Sequence, residues 1–276
     1  VSVQGFPVIR RARGYRLYDT EGNRYLDMYL DDGGALLGHS PLRTIKALKN
    51  ALEKSTLAAY PSVHTERLTR AAAALLPGHS EVRVYRSPER LREVLGPEAM
   101  IGEPVRILPV SGDGGDASSV PGKGPSEARV CAWRPLLADE NRYPDIIVPH
   151  LPLPGEFVPR LLCGRAGALE GLPPSDVCSS VLLAALTRSI YDLRGFIEVH
   201  RDRDFSDFDI PGMIRRGCYL YPGCGEREYR TLVEGLRRGG VLLNPDYRGI
   251  SIAPAEYTRG EIKVFSRIAE GKEVWT

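Results

Sequence analysis

Few groupings in this chain have the residue types and spacing that catalysis or metal binding needs. The five histidines, His39, His64, His79, His150 and His200, are far apart, and no His-x-x-x-His pair shares one helical face. No Gly-x-Ser-x-Gly turn presents a serine nucleophile. Asp202, Asp204, Asp207 and Asp209 crowd one stretch but lack the glycine and closing glutamate of a calcium loop, so a solvated, salt-bridged segment is expected there. The glycine-rich segment 111–127 holds one lysine, Lys123, flanked by Gly122 and Gly124, and no phosphate-cradling Gly-x-x-x-x-Gly-Lys-Ser/Thr; it is expected to be a flexible surface loop. The five cysteines, Cys131, Cys163, Cys178, Cys218 and Cys224, include no Cys-x-x-Cys pair, which argues against a zinc ribbon or a redox dithiol.

The stretch that most resembles a ligand-holding device is YPDIIVPHLPLPGEF, residues 143–157. Asp145 to Val148 favour an extended core strand, and the following turn is stiffened by Pro149, Pro152 and Pro154 and closed by Gly155. In α/β folds such turns, at the carboxyl ends of strands, are where ligands sit. This turn contains no lysine.

The elements that would position it read as follows. Residues 14–31 give two strands around Asp19–Asn23, with Gly22 placed for positive φ. Helices are expected at 42–55, at 64–76 with Thr65 as N-cap and Pro77-Gly78 as stop, and at 88–96 with proline in the first turn. Strands are expected at 81–87, 104–110 and 128–133. The most apolar helix spans 177–193, and an amphipathic one spans 226–240 with Tyr229, Leu232, Val233 and Leu236 on one face. Strands alternating with few, short helices predict an α/β layered fold with a small sheet.

The 276 residues suffice for one large domain or two smaller ones, and 42% hydrophobic with 26% charged residues is ordinary for a globular chain. A net charge of +2 provides no electrostatic footprint for nucleic acid or an acidic membrane surface, and no apolar run reaches the length of a membrane span. The Arg10, Arg11, Arg13 and Arg16 cluster is expected as an edge strand or solvated face. Read without a secretion signal, the cysteines are expected as reduced core thiols and the protein as cytoplasmic.

Taken in order, Gly14, Leu17-Tyr18-Asp19, Glu21-Gly22-Asn23, Tyr25-Leu26-Asp27, Gly33 and Leu37-Gly38-His39-Ser40-Pro41 resemble the N-terminal signature of the class III aminotransferases, pyridoxal-phosphate enzymes of fold type I, in the flavour of the glutamate-1-semialdehyde aminomutases. The resemblance returns at Pro144-Asp145-Ile146, at Gly164-Arg165, at the helix 177–193 and in the tail 240–262, covering about two thirds of the chain in three blocks. It implies a reduced fold-type-I sheet with a small C-terminal α+β domain, segmented as 1–62, 63–193 and 194–276, and a homodimer with the segment from Asp31 to Pro41 at the interface.

Against that family pattern the Schiff-base lysine position falls on Leu151, or on His150 with a one-residue slip, and neither is a primary amine. The six lysines, Lys46, Lys49, Lys54, Lys123, Lys263 and Lys272, lie elsewhere. Where the family offers an aspartate to the pyridine nitrogen, the matching strand runs into Arg134. The phosphate-binding turn is replaced by Ser87-Pro88-Glu89-Arg90, in which proline removes a donor. Only 31 residues, 97–127, stand where the family has several strand–helix units. The resemblance therefore implies a shortened member that has lost the lysine and needs no pyridoxal phosphate, acting as a homodimeric binding or regulatory scaffold. Two alternatives stay open: an active pyridoxal-phosphate aminotransferase or aminomutase, and a binder of another small molecule in the old cleft. Ser87, Arg134, His150 and Arg165 are the candidate pocket residues; no metal, nucleic-acid or membrane partner is expected.

Overall fold

The computed structural model describes residues 6–54, 58–96, 101–102, 130–137, 143–154 and 158–269. The strand expected at 104–110 and the glycine-rich segment 111–127 lie outside the described residues. In chain order the elements are β1 (Ile9–Arg13), β2 (Arg16–Asp19), β3 (Arg24–Asp27), α1 (Leu42–Lys54), α2 (Val63–Leu75), β4 (Glu81–Tyr85), α3 (Pro88–Leu95), β5 (Ile101–Gly102), β6 (Val130–Trp133), β7 (Ile146–Pro149), β8 (Arg160–Gly164), α4 (Ser180–His200), β9 (Met213–Arg216), β10 (Tyr219–Pro222), α5 (Glu226–Arg238), β11 (Val241–Leu242), β12 (Ser251–Ile252) and α6 (Arg259–Ala269). The fold is α/β, as the alternation of patterns predicts.

The chain divides into two compact units. One unites the described residues up to Ser40 with those from Val199 onward; the other holds those from Pro41 to Glu198. This grouping differs from the segmentation at 62 and 193, because β11 pairs in parallel with β3, Val241 opposite Leu26, and so ties the N-terminal strands to the C-terminal part. No local pattern announces that long-range pairing.

In the first unit the sheet order is β1-β2-β3-β11, with β1 an edge strand carrying the exposed arginines, and a second sheet runs β12-β10-β9. The β2–β3 turn forms because Asp19 folds its carboxylate over the loop: Oδ1 accepts the amides of Glu21 and Asn23 at 2.9 and 2.8 Å, and Oδ2 accepts the Asn23 amide group. Gly22, at φ +92°, completes the turn as its sequence position predicts. In α5 the Tyr229 and Leu236 side chains are fully buried, and the Tyr229 hydroxyl donates to the Asn244 carbonyl at 2.6 Å.

In the second unit five strands run in the order β4-β8-β7-β6-β5. The strands β5, β6 and β7 are parallel, and β8 is antiparallel to both its neighbours, β7 and β4. Hence β4, β6 and β7 all point their carboxyl ends to one edge. Tyr85, Leu91, Val130, Val148, Leu162 and Leu169 form a core cluster between α3 and the sheet. The α3 helix starts with Pro88 and stops at Gly96, φ +89°. Two boundaries differ from expectation. The α2 N-cap is Ser62 rather than Thr65, which lies inside the first turn with its amide on the Ser62 carbonyl. The α4 helix begins at Ser180 and runs to His200, because Asp176 and Ser175 are drawn into pairing along β4 instead.

Candidate functional site

The carboxyl edge of the second unit's sheet gathers four of the residues singled out from sequence. Ser87 follows β4, Arg134 follows β6, and His150 with Leu151 follows β7. The ladder continues past the strands, with the His150 amide donating to the Trp133 carbonyl at 2.9 Å, so His150 and Arg134 sit side by side at the strand ends. Arg134 is 2% exposed, while His150 and Leu151 are half-buried. The proline turn is fastened to α4 by the Ser189 hydroxyl, which donates to the Pro152 carbonyl at 2.9 Å. Gly155 and the two residues after it lie outside the described residues.

Ser87 is committed to the helix it starts. Its hydroxyl oxygen accepts the Arg90 amide at 3.1 Å, a true N-cap. The Glu89 carboxyl is held below its ordinary value first by its own backbone amide and then by the Ser87 hydroxyl, and it accepts the Arg92 guanidinium at 3.0 Å. Asp176 takes the Arg86 amide at 3.1 Å and the Arg90 guanidinium at 3.4 Å. Thus at the start of α3 Pro88 has no amide to give, the Arg90 amide goes to Ser87, and Asp176 holds the Arg86 amide just before the helix.

Arg165 does not join this group. Because β8 is antiparallel to β7, the residue after β8 returns to the amino edge, where the Arg165 amide donates to the Asp145 carbonyl and its Nε lies 3.3 Å from the Asp145 carboxylate. It lines instead a cavity of about 100 Å³ with Leu76, Pro77, Gly78, His79, Trp133 and Tyr143.

In the first unit, sequence inspection quoted Asp27 and His39 without pairing them. They meet in a buried contact: His39 Nε2 lies 2.7 Å from Asp27 Oδ2, and Asp27 is 1% exposed. Asp27 Oδ1 accepts the amides of Tyr29 and Leu30 at 2.9 and 3.2 Å. Those bonds fasten an uncommon run of left-handed backbone, Leu30, Asp31 and Asp32, at φ 47°, 50° and 52°. Asp and His flanking a glycine-bearing loop were the available signal. The Tyr29 hydroxyl beside this loop is pushed up to about 12, by burial first and then by Asp31, Asp32 and Asp27.

The aspartate-rich stretch around Asp204 is structural. Asp204 accepts the Ser206 amide and hydroxyl, Asp209 pairs with Arg215, and Asp207 accepts the Tyr257 hydroxyl. Among the described residues no cluster of His, Cys, Asp and Glu could hold a metal ion, and no helix is long and apolar enough to cross a membrane. All five cysteines are free thiols; burial pushes Cys163 up to about 12.

No protein-family model matches the chain. It is 23% identical to an uncharacterized protein of Borreliella burgdorferi over 96% of this chain and 91% of that one. It is 30% identical to an uncharacterized protein of Treponema pallidum, over 69% of this chain and about half, 54%, of the relative. A glutamate-1-semialdehyde 2,1-aminomutase of Aquifex aeolicus matches at 31% identity over 87 residues, which is 31% of this chain and only 20% of the aminomutase. Among solved structures, acetylornithine aminotransferase from Elizabethkingia anophelis superposes with a TM-score of 0.64 at 15% identity, covering 99% of this chain and 96% of that one. Plasmodium falciparum ornithine delta-aminotransferase gives 0.68 at 11%, covering 98% and 94%.

The cofactor implied by this fold needs a primary amine, a carboxylate facing the ring nitrogen and an anion cradle. The carboxyl edge offers His150 and Leu151, Arg134, and a helix start already holding Glu89. Of the lysines, Lys46, Lys49, Lys54 and Lys263 are exposed on α1 and α6, and the other two lie outside the described residues. The described residues do not fit the cofactor. In fold the chain is similar to the acetylornithine and ornithine aminotransferases, and a block of its sequence matches glutamate-1-semialdehyde aminomutases.

Proposed function

We propose that this protein keeps the aminotransferase fold as a binding or regulatory scaffold and does not carry out pyridoxal-phosphate catalysis. One observation supports the reading: the carboxyl edge of the sheet carries His150, Leu151 and buried Arg134, and the lysines among the described residues lie on α1 and α6. An imidazole cannot form the internal aldimine, and a cation beside the pyridine nitrogen disfavours the protonation that makes the ring an electron sink. Scaffold duty asks only for a well-supported surface, and the proline turn locked to α4 supplies one.

The scaffold acts as a homodimer. The resemblance implies that assembly, and the second unit presents the large apolar side chains Leu42, Tyr60, Val63, Val177 and Tyr191 to solvent, with Leu42 79% exposed. Light scattering on the purified protein is expected to give twice the chain mass, and a charge at Leu42 or Tyr60 is expected to shift it to one.

The catalytic half is tested by incubating the protein with pyridoxal phosphate and ornithine, acetylornithine or glutamate-1-semialdehyde. The expected outcome is no turnover and no visible aldimine band that survives gel filtration. A stoichiometric band with amino-group transfer restores the enzyme reading.

A further inference from the structure

The cavity at the turn between α2 and β4 lies within the second unit and plays no part in the reading above. Its walls mix apolar and polar groups: Leu76 at 5% exposed, Trp133 at 7% and Tyr143 at 8% form the buried side, and Pro77 and Gly78 form the exposed rim. His79, 6% exposed, is fixed by its Nε2, which must donate to the Pro144 carbonyl at 2.8 Å because that oxygen can only accept. Against these walls stands a single cation, Arg165, whose side chain is 44% exposed. Its Nε faces the Asp145 carboxylate, itself 77% exposed, at 3.3 Å. Such a surface pair is weak and easily exchanged. The two terminal nitrogens of Arg165 have no hydrogen-bond partner among the described residues.

The shape and charge select a ligand class. A cavity of about 150 Å³ lined by aliphatic and aromatic side chains accepts benzene, so the 100 Å³ here holds about four non-hydrogen atoms. That is the size of a branched aliphatic tail. A guanidinium with its terminal nitrogens open matches the two oxygens of a carboxylate. An amine is repelled by the same group. A phosphate asks for more donors than one fork and gains nothing from Leu76, Pro77 and Trp133.

We infer that this cavity is a binding site for a short branched aliphatic carboxylate, with the carboxylate on Arg165 and the methyl groups against Leu76, Pro77 and Trp133. The site runs from Arg165 at the amino edge of the sheet to the side chain of Trp133 at the end of β6, and holds whether or not the scaffold reading does.

The chain has two tryptophans, Trp133 and Trp275, so Trp275→Phe makes the indole of the cavity the only fluorophore of its type. In that background 3-methylbutanoate is expected to change the emission saturably, with a dissociation constant on the order of 1 mM. Arg165→Ala weakens binding about tenfold, the loss of a charge-assisted pair, and Arg165→Lys by less. Asp145→Asn, which removes the competing carboxylate from an exposed position, tightens it by up to about fivefold. 3-Methylbutanol and inorganic phosphate each bind at least about tenfold more weakly than the acid. An unsaturable response, equal binding of the alcohol or of phosphate, or an Arg165→Ala protein that is folded by circular dichroism and binds unchanged overturns the inference. Should Arg165→Ala fail to fold, a loosened Asp145→Asn protein does so instead. None of these readouts depends on pyridoxal phosphate.

Discussion

The two units carry the aminotransferase likeness differently. In the first, the signature residues meet and satisfy one another: Asp19 closes its turn, Asp27 holds His39 and the left-handed loop, and Arg16 forks onto Glu261 at 2.8 and 2.9 Å. In the second, the carboxyl edge of the sheet presents Ser87, Arg134, His150 and Leu151, and the Ser87 hydroxyl is committed to capping α3. That contrast is what the scaffold reading predicts, and each unit can be probed separately.

The largest effect belongs to the first unit. Asp27→Ala removes the acceptor of two backbone amides and of His39, leaving buried donors unsatisfied, and is expected to cost about 3 kcal/mol, read as a lowered urea midpoint with unchanged slope. A cost near zero would mean that the loop holds itself and that the contrast between units is overdrawn.

Next comes acid sensitivity. Burial works against the Glu261 carboxylate, but the hydrogen bonds from Arg16 and Thr258 outweigh it and hold the group below its ordinary 4.5. A carboxyl depressed on folding contributes stability above the unfolded value and loses it as pH falls through the folded one. Urea midpoints at about pH 6 and about pH 3 should therefore fall further for the native chain than for Glu261→Gln. Equal falls would show that this pair contributes nothing to the first unit.

Smaller still is Ser87→Ala, which removes the α3 cap and is expected to cost about 1 kcal/mol of stability in the second unit, in line with a structural serine. A change in pyridoxal-phosphate affinity without a change in stability would instead make Ser87 a phosphate ligand. The smallest expected effect is that of Leu151→Lys. Restoring an amine alone is not expected to create a stable aldimine, because Pro88, Glu89 and Arg134 remain.

Much of this was legible in the sequence, for local reasons. The proline at the start of α3 and the Asp19–Asn23 turn are short-range signals, and each appears as expected, whereas Gly96 caps the helix rather than ending inside it. What was not legible is relational. The strand β8 was not anticipated because Leu161–Cys163 is a short apolar run next to prolines, although it is fully buried in the sheet. Its antiparallel direction is what carries Arg165 away from His150, and no linear motif states a strand's direction. The Asp27–His39 contact and the β3–β11 pairing likewise depend on segments meeting in space. The helix α6 was expected only as the helix that the tail enters, and its bounds were not read from its own pattern.

The central claim is that no amine of this chain reaches the old cofactor position. Borohydride reduction after incubation with equimolar pyridoxal phosphate, followed by intact mass and peptide mapping, addresses it directly. The account predicts an unshifted main mass with only scattered, substoichiometric labelling of exposed lysines. One pyridoxyl-phosphate group per chain, on a single lysine, would contradict it.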